Sequence, residues 1–182
     1  MKRVGVLISG RGSNMMSLVE HARGYEVALV ASDRPDAPGL AWARDQGIDT
    51  FAMDVARVGR STWERCLLDR LRGASVHHVA LAGYMRLVTP GFIAALHGNI
   101  VNIHPSLLPL HKGLDTHARA LAAGDAEAGC SVHVVTAELD GGAVLGQARV
   151  PIRPGDTPDT LAARVLIEEH RLYPRVLAEW LA

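Results

Sequence analysis

The sequence predicts an α/β fold: a mainly parallel sheet with helices on both faces and an antiparallel hairpin toward the C-terminus. Three observations carry this. Short β-branched runs alternate with longer helical patterns as far as Ile103, the pattern of a doubly wound sheet. The first run, Val4 to Ser9, is almost unbroken in its apolar character, as a strand covered on both faces requires. Late in the chain, two strand-like runs are joined by only a few turn residues, too few for a crossover helix, so they must pair antiparallel.

The elements follow in order. Ser13 to Arg23 reads as a helix after the first strand, and Glu26 to Ser32 as the second strand. Pro38 to Gln46 is a helix that stops at Gly47. Thr50 to Met53 is a short third strand. Ser61 to Leu71 places Trp63, Leu67, Leu68 and Leu71 at helical spacing before Gly73. His78 to Ala82 is the fourth strand, Pro90 to Leu96 a short helix and Ile100 to Ile103 the fifth strand. A proline-rich loop, Pro105 to Gly113, leads to a helix over Thr116 to Ala123. Ser131 to Thr136 and Ala143 to Ile152 form the hairpin. The last helix has Thr157 as N-cap and Pro158 at its first position. Its stripe of Leu161, Val165, Leu172, Val176 and Trp180 faces the core.

Composition narrows the function classes. In 182 residues, 19 basic side chains balance 19 acidic ones, so no electrostatic footprint for nucleic acid or an anionic membrane is expected. No apolar stretch approaches the roughly 18 residues of a membrane span. Two cysteines, Cys66 and Cys130, make no disulfide framework and no metal-ligand spacing, and read as buried, reduced thiols of a cytoplasmic protein. His111 and His117 flank the loop after His104 without a short-spaced pair, so no metal is expected. His133 alternates with apolar residues and reads as a packed or surface residue. Trp63 and Trp180 read as core.

Ser9-Gly10-Arg11-Gly12-Ser13-Asn14 ends a buried strand and opens a helix. Free N–H groups and the helix dipole favour an anion there. The segment lacks the Gly-Lys-Ser/Thr of a Walker loop, and Met15 stands where a dinucleotide fingerprint needs glycine, although Asp33 lies at the ribose-binding distance. Two readings stand open: a phosphate site, or a tight turn with a capped helix.

Alternation along the fifth strand points Asn102 and His104 to one side, at the carboxyl end of a strand where open α/β sheets bind ligands. The following Pro105-Ser106-Leu107-Leu108-Pro109 is stiff. An amide donor beside an imidazole suits a developing oxyanion. Asp140 stands in the hairpin turn before Gly141-Gly142, and spacing alone does not join it to His104.

NIHPSLLP, SVHVVTAELDGGAVLGQ and the opening LISGRGSN together resemble the glycinamide ribonucleotide formyltransferases. This purine-pathway family uses 10-formyltetrahydrofolate and lies within a wider formyltransferase superfamily. The resemblance runs from Val4 to about Leu177. It implies a single Rossmann-like formyltransferase domain over residues 1–182. Asn102, His104 and Asp140 match the family's catalytic trio, and Gly12, Ser13 and Asn14 its phosphate-binding turn. Glu169 matches a contact to the glycinamide substrate. Arg60, Met85, Arg86, Leu87 and Val88 match folate contacts, as do Asn102 and the stretch Thr136, Ala137, Glu138, Leu139 and Asp140. Leu166 departs from a commonly polar position, and Asp115 stands where some relatives carry histidine or a neutral residue.

The resemblance thus implies formyl transfer between two small molecules, with the folate as co-substrate and no metal, in a monomer or homodimer. Asp140 beside His104 would favour imidazolium, each pKa unit being about 1.4 kcal/mol. Deformylases and methionyl-tRNA formyltransferases of the superfamily are expected to carry a further domain, for which 182 residues leave no room.

Overall fold

A computed structural model describes all residues, Met1–Ala182. In chain order the elements are β1 (Lys2–Ile8), α1 (Ser13–Glu20), β2 (Tyr25–Ser32), α2 (Pro38–Asp45), β3 (Asp49–Ala52), α3 (Val55–Val58) and α4 (Arg60–Gly73). They continue with β4 (His78–Leu81), α5 (Pro90–Ala95), β5 (Ile100–His104), α6 (Thr116–Ala122), β6 (Glu127–Val134), β7 (Val144–Pro151) and α7 (Pro158–Leu181). The strands form one sheet in the order β3-β2-β1-β4-β5-β6-β7. β1 to β5 run parallel, β6 is antiparallel to β5, and β7 is antiparallel to β6.

The expected layout is present, with two differences. The chain forms a short helix, α3, where the sequence shows no usable periodicity. β6 starts at Glu127 and ends at Val134 instead of covering Ser131 to Thr136. β5 begins at Ile100, whose carbonyl accepts the Val135 N–H at 2.9 Å, so Thr136 has no strand residue to pair with. The connection into β7 is therefore a longer loop than the sequence suggests.

Strand alternation sorts the core into two layers. Val4, Val6 and Ile8 of β1 pack with α1, α2 and α7. Leu7 packs with Trp63, Leu67 and Leu71 of α4 on the other face. Gly5 shares that second face because a Cβ there would meet Leu71 Cδ2 at 2.7 Å. On β5 the same rule sends Val101 and Ile103 to the first layer and Ile100 to the second. Asn102 and His104, in step with Ile100, thus share the α4 and α5 side.

Cys130 is fully buried, and burial pushes its thiol up to about 12. Cys66 is only half-buried, which corrects the expectation of two buried thiols. Trp63 is fully buried, whereas Trp180 sits at the margin of the core, edge-on to His78.

α7 closes the first layer. Thr157 and Thr160 form a reciprocal capping box at its start. Pro174 lies inside the helix and has no N–H to donate to the carbonyl of His170, one turn back. Ser17 of α1 donates to that carbonyl at 2.6 Å instead. Tyr173 is fully buried and donates to Leu81 at the end of β4. These two bonds tie α7 to α1 and to the sheet, and so place Glu169 on the same helix.

Candidate active site

The parallel strands end side by side at one edge of the sheet. The strand order reverses between β1 and β4, the crevice where open α/β sheets take ligands. Ser9, just past β1, bridges this crevice: its hydroxyl donates to Asp33 Oδ1 at 2.6 Å and accepts the Met85 N–H at 3.0 Å. Arg86 donates through Nε to Asp33 Oδ2 at 2.8 Å. Asp33 is buried with both carboxylate oxygens in use, so it holds the Met85–Val88 segment and is not free for a ribose. Met85 and Leu87 project outward, 69% and 62% exposed. Val88 packs on the second core layer.

Gly12 precedes α1 in the left-handed region, with φ 74°. A Cβ there would also meet Met15 Cε at 2.9 Å, so the position needs glycine on both counts. No side chain caps the helix, which leaves its first N–H groups open at the turn. Asn14 is buried and donates through Nδ2 to Glu169 Oε2 at 2.7 Å. Asn14 Oδ1 is buried without a partner. Burial pushes the Glu169 carboxyl up, opposed by the Asn14 hydrogen bond. The turn and the last helix thus meet around two buried acceptors.

At the end of β5, His104 is 6% exposed. Its Nδ1 lies 3.5 Å from Asp140 Oδ2, and its Nε2 lies 2.9 Å from the His111 carbonyl. A carbonyl only accepts, so Nε2 carries a proton. Nδ1 then faces a carboxylate, and an imidazolium satisfies both contacts where a neutral ring satisfies one. The 3.5 Å separation is longer than an ordinary N–H···O bond, so Nδ1 is the less tightly held donor. Asp140 Oδ2 also accepts the Gly113 N–H at 2.9 Å.

Asp140 reaches this place through its loop. It is the left-handed residue of the turn, φ 49°, a conformation aspartate tolerates better than most. Gly141 and Gly142 do not supply positive φ. At Gly142 the need is space, because a Cβ would drive into the Val134 carbonyl. Thr136, Ala137, Glu138 and Leu139 of the same loop are exposed. The proline-rich segment after His104 is anchored from β6 and β7. Ser131 Oγ donates to the Ser106 carbonyl at 2.7 Å and accepts the Leu108 N–H, and Gln147 donates to the Leu108 carbonyl.

The structure adds His133, which sequence reasoning passed over. The β5–β6 register sets it directly opposite Asn102. Its Nε2 lies 3.2 Å from Asn102 Nδ2 and 3.5 Å from Asp140 Oδ1. Burial lowers its pKa below 6.5, helped by His104 and opposed by the Val134 hydrogen bond and Asp140. The available signal was parity: Cys130 and Val132 fill the first core layer, which turns Ser131 and His133 to the Asn102 side. Arg60 lies apart from the trio. It lines an open groove of about 560 Å³ with Arg65, Arg72, Thr89 and Phe92, beginning where the Met85–Val88 segment ends.

Comparison with known proteins shows the family. The formyl transferase family model matches residues 2–177. The chain belongs to the formyl transferase family. The phosphoribosylglycinamide formyltransferase of Escherichia coli (strain K12) is 43% identical over 182 residues, covering 97% of this chain and 85% of that protein. The trifunctional purine biosynthetic protein adenosine-3 of Drosophila melanogaster is 41% identical over 97% of this chain, which spans only 14% of its length. The crystal structure of the Brucella melitensis phosphoribosylglycinamide formyltransferase superposes with a TM-score of 0.93 at 48% identity, over 100% of this chain and 96% of that one. The mainly parallel sheet with antiparallel last strands is thus the formyltransferase architecture. No helix of this formyltransferase is long and apolar enough to cross a membrane.

Proposed function

We propose that this chain, as one formyltransferase domain over residues 1–182, transfers the formyl group of 10-formyltetrahydrofolate to the amine of glycinamide ribonucleotide in the cytoplasm. The observation that carries the reading is the buried approach of His104 Nδ1 to Asp140 Oδ2 at 3.5 Å, with Asn102 on the same face of β5. It is supported by relatives named phosphoribosylglycinamide formyltransferase, matched across nearly the whole chain. The glycine turn and the end of β5 are separated by two strand spacings, roughly 10 Å, so one small ligand can reach both. In this reading the substrate phosphate takes the open N–H groups of Gly12, Ser13 and Asn14. Glu169 and the unpartnered Asn14 Oδ1 contact the same ligand beside its phosphate, and its glycinamide end extends to the trio.

The folate takes the rest of the cleft, between the segment after β4 and the loop before β7. Exposed Met85 and Leu87 and the loop from Thr136 to Asp140 offer apolar surface and backbone to its ring. Arg86 and Arg60 offer positive charge to its carboxylates.

The substrate amine attacks the formyl carbon and a tetrahedral oxyanion forms. Asn102 donates an N–H to it, and protonated His104 shares with it the Nδ1–H that Asp140 holds only loosely at 3.5 Å. Donors aimed at charge that develops only in the transition state lower the barrier. The Asp140 carboxylate stabilises the positive ring and takes part in moving the amine proton. Collapse breaks the bond from the formyl carbon to N10 of the folate, and N10 takes up a proton. The step uses no covalent enzyme intermediate.

The test is an assay of the purified chain with glycinamide ribonucleotide and 10-formyltetrahydrofolate. Formylated ribonucleotide with a stoichiometric loss of formyl-folate is the expected result. Release of free formate without the ribonucleotide product would indicate a deformylase instead.

A further inference from the structure

The buried imidazole of His133 has no part in the trio, yet it lies against two of its members, Asn102 and Asp140. His133 is 2% exposed, and its Nδ1 lies 3.0 Å from the carbonyl of Val134. Because a carbonyl can only accept, the ring proton resides on Nδ1. In the neutral ring Nε2 is then a bare lone pair, pointed at Asn102 Nδ2 across a 3.2 Å gap. A carboxamide has two ends of nearly equal shape and opposite polarity. The His133 lone pair accepts from the NH₂ end and repels the oxygen end, so it decides which way Asn102 is turned. One N–H of Asn102 is thereby fixed toward β6, and the second is left to point into the cleft.

We propose that His133 is a positioning residue for formyl transfer, acting as a hydrogen-bond acceptor that locks the Asn102 carboxamide with an N–H presented to the reacting oxygen. This rests on the role given to Asn102 above. The groups facing the ring are Asn102, Asp140 at 3.5 Å from Nε2, and His104. Burial and His104 oppose a second proton on His133, while Asp140 and Val134 favour one. The net direction is down, so Nε2 stays an acceptor at neutral pH. A protonated Nε2 would turn from Asn102 to Asp140 and release the carboxamide.

The experiment is a double-mutant cycle on the purified enzyme, with kcat, KM for both substrates and a pH profile for each variant. His133→Leu removes the acceptor, and kcat should fall roughly 10- to 100-fold with KM values changed less than threefold, as for a misplaced catalytic group. His133→Gln restores an acceptor and should recover most of kcat with an unshifted pH profile. In an Asn102→Ala background His133→Leu should cost nothing further. An equal loss in both backgrounds would overturn the proposal, because His133 would then act independently of Asn102. A shifted pH profile in His133→Gln would also overturn it, making the ring a proton carrier. Should His133→Leu fail to fold, His133→Gln and its cycle with Asn102→Ala still decide: a large kcat loss in His133→Gln that persists without Asn102 counts against it. The single Asn102→Ala variant tests the underlying reading by itself. Unchanged kcat there would remove the role of Asn102, and with it the proposal, whatever His133 does.

Discussion

Asp140 Oδ2 lies 3.5 Å from His104 Nδ1, and both side chains are more than nine-tenths buried. One residue ends a parallel strand and the other sits in a hairpin loop that must fold back to reach it. Asp140→Asn keeps the shape and removes the negative charge that faces Nδ1. Turnover at neutral pH is expected to drop by roughly 10²–10⁴-fold, the usual range for losing an acid–base group, with little change in either KM. His104→Ala should be at least as damaging, and the double variant far less than additive. Steady-state kinetics check this, and near wild-type turnover in Asp140→Asn would sink the mechanism.

The anion reading of the glycine turn calls for a substitution that spares the fold. Gly12 is unsuitable, since its φ of 74° and the close Met15 Cε make any side chain disruptive. Ser13→Asp is better, because a carboxylate in a first helical turn is stabilising by about 0.3–1 kcal/mol. The same charge repels a bound phosphate. The melting temperature should hold or rise, while KM for glycinamide ribonucleotide rises at least roughly tenfold and KM for the folate stays put. A parallel weakening of both ligands would count against a phosphate at this turn.

Pro174 and Ser17 form a compensating pair. The His170 carbonyl is released by the proline and recovered by the serine hydroxyl at 2.6 Å. Ser17→Ala should destabilise the protein by about 1 kcal/mol, the cost of losing a hydrogen bond to a half-buried acceptor. Adding Pro174→Ala supplies a helical N–H to that carbonyl and should return part of the loss. Denaturant melts of the four proteins test this, and strict additivity would show that the carbonyl is not the shared partner.

Acid should weaken the fold through its histidines. His78, His117, His133 and His170 all have pKa values held below 6.5, in each case chiefly by burial. Below pH 6.5 the unfolded chain takes up protons that the folded chain still refuses, so stability falls with falling pH. The raised Glu169 carboxyl acts in the opposite sense as pH falls toward its unfolded value of 4.5, but it is one group against four. The melting temperature should therefore be lower at pH 5.5 than at pH 7.5. An unchanged or higher value at pH 5.5 would contradict these assignments.

Strand and helix positions were legible because period and punctuation are local. Val4 to Ser9 reads as a doubly covered strand, and Thr157-Pro158 as a helix start, from the residues themselves. α3 was missed because four residues, Val55–Val58, are too few to show a helical period. The end of β6 was misplaced because a strand stops where its neighbour stops, and Ile100 is far from Thr136 in sequence.

The candidate site divides along the same line. The shared side of Asn102 and His104 follows from alternation within one strand, and the open turn at Gly12 from a strand running straight into a helix. These are consequences of backbone geometry over a few residues, and the sequence by itself determined them. The approach of Asp140 to His104, the pairing of His133 with Asn102 and the meeting of Asn14 with Glu169 were decided only by the tertiary structure. Each depends on inter-strand register or on helix docking. Register is set by which side chains the whole core can bury together, and no window of adjacent residues contains that information.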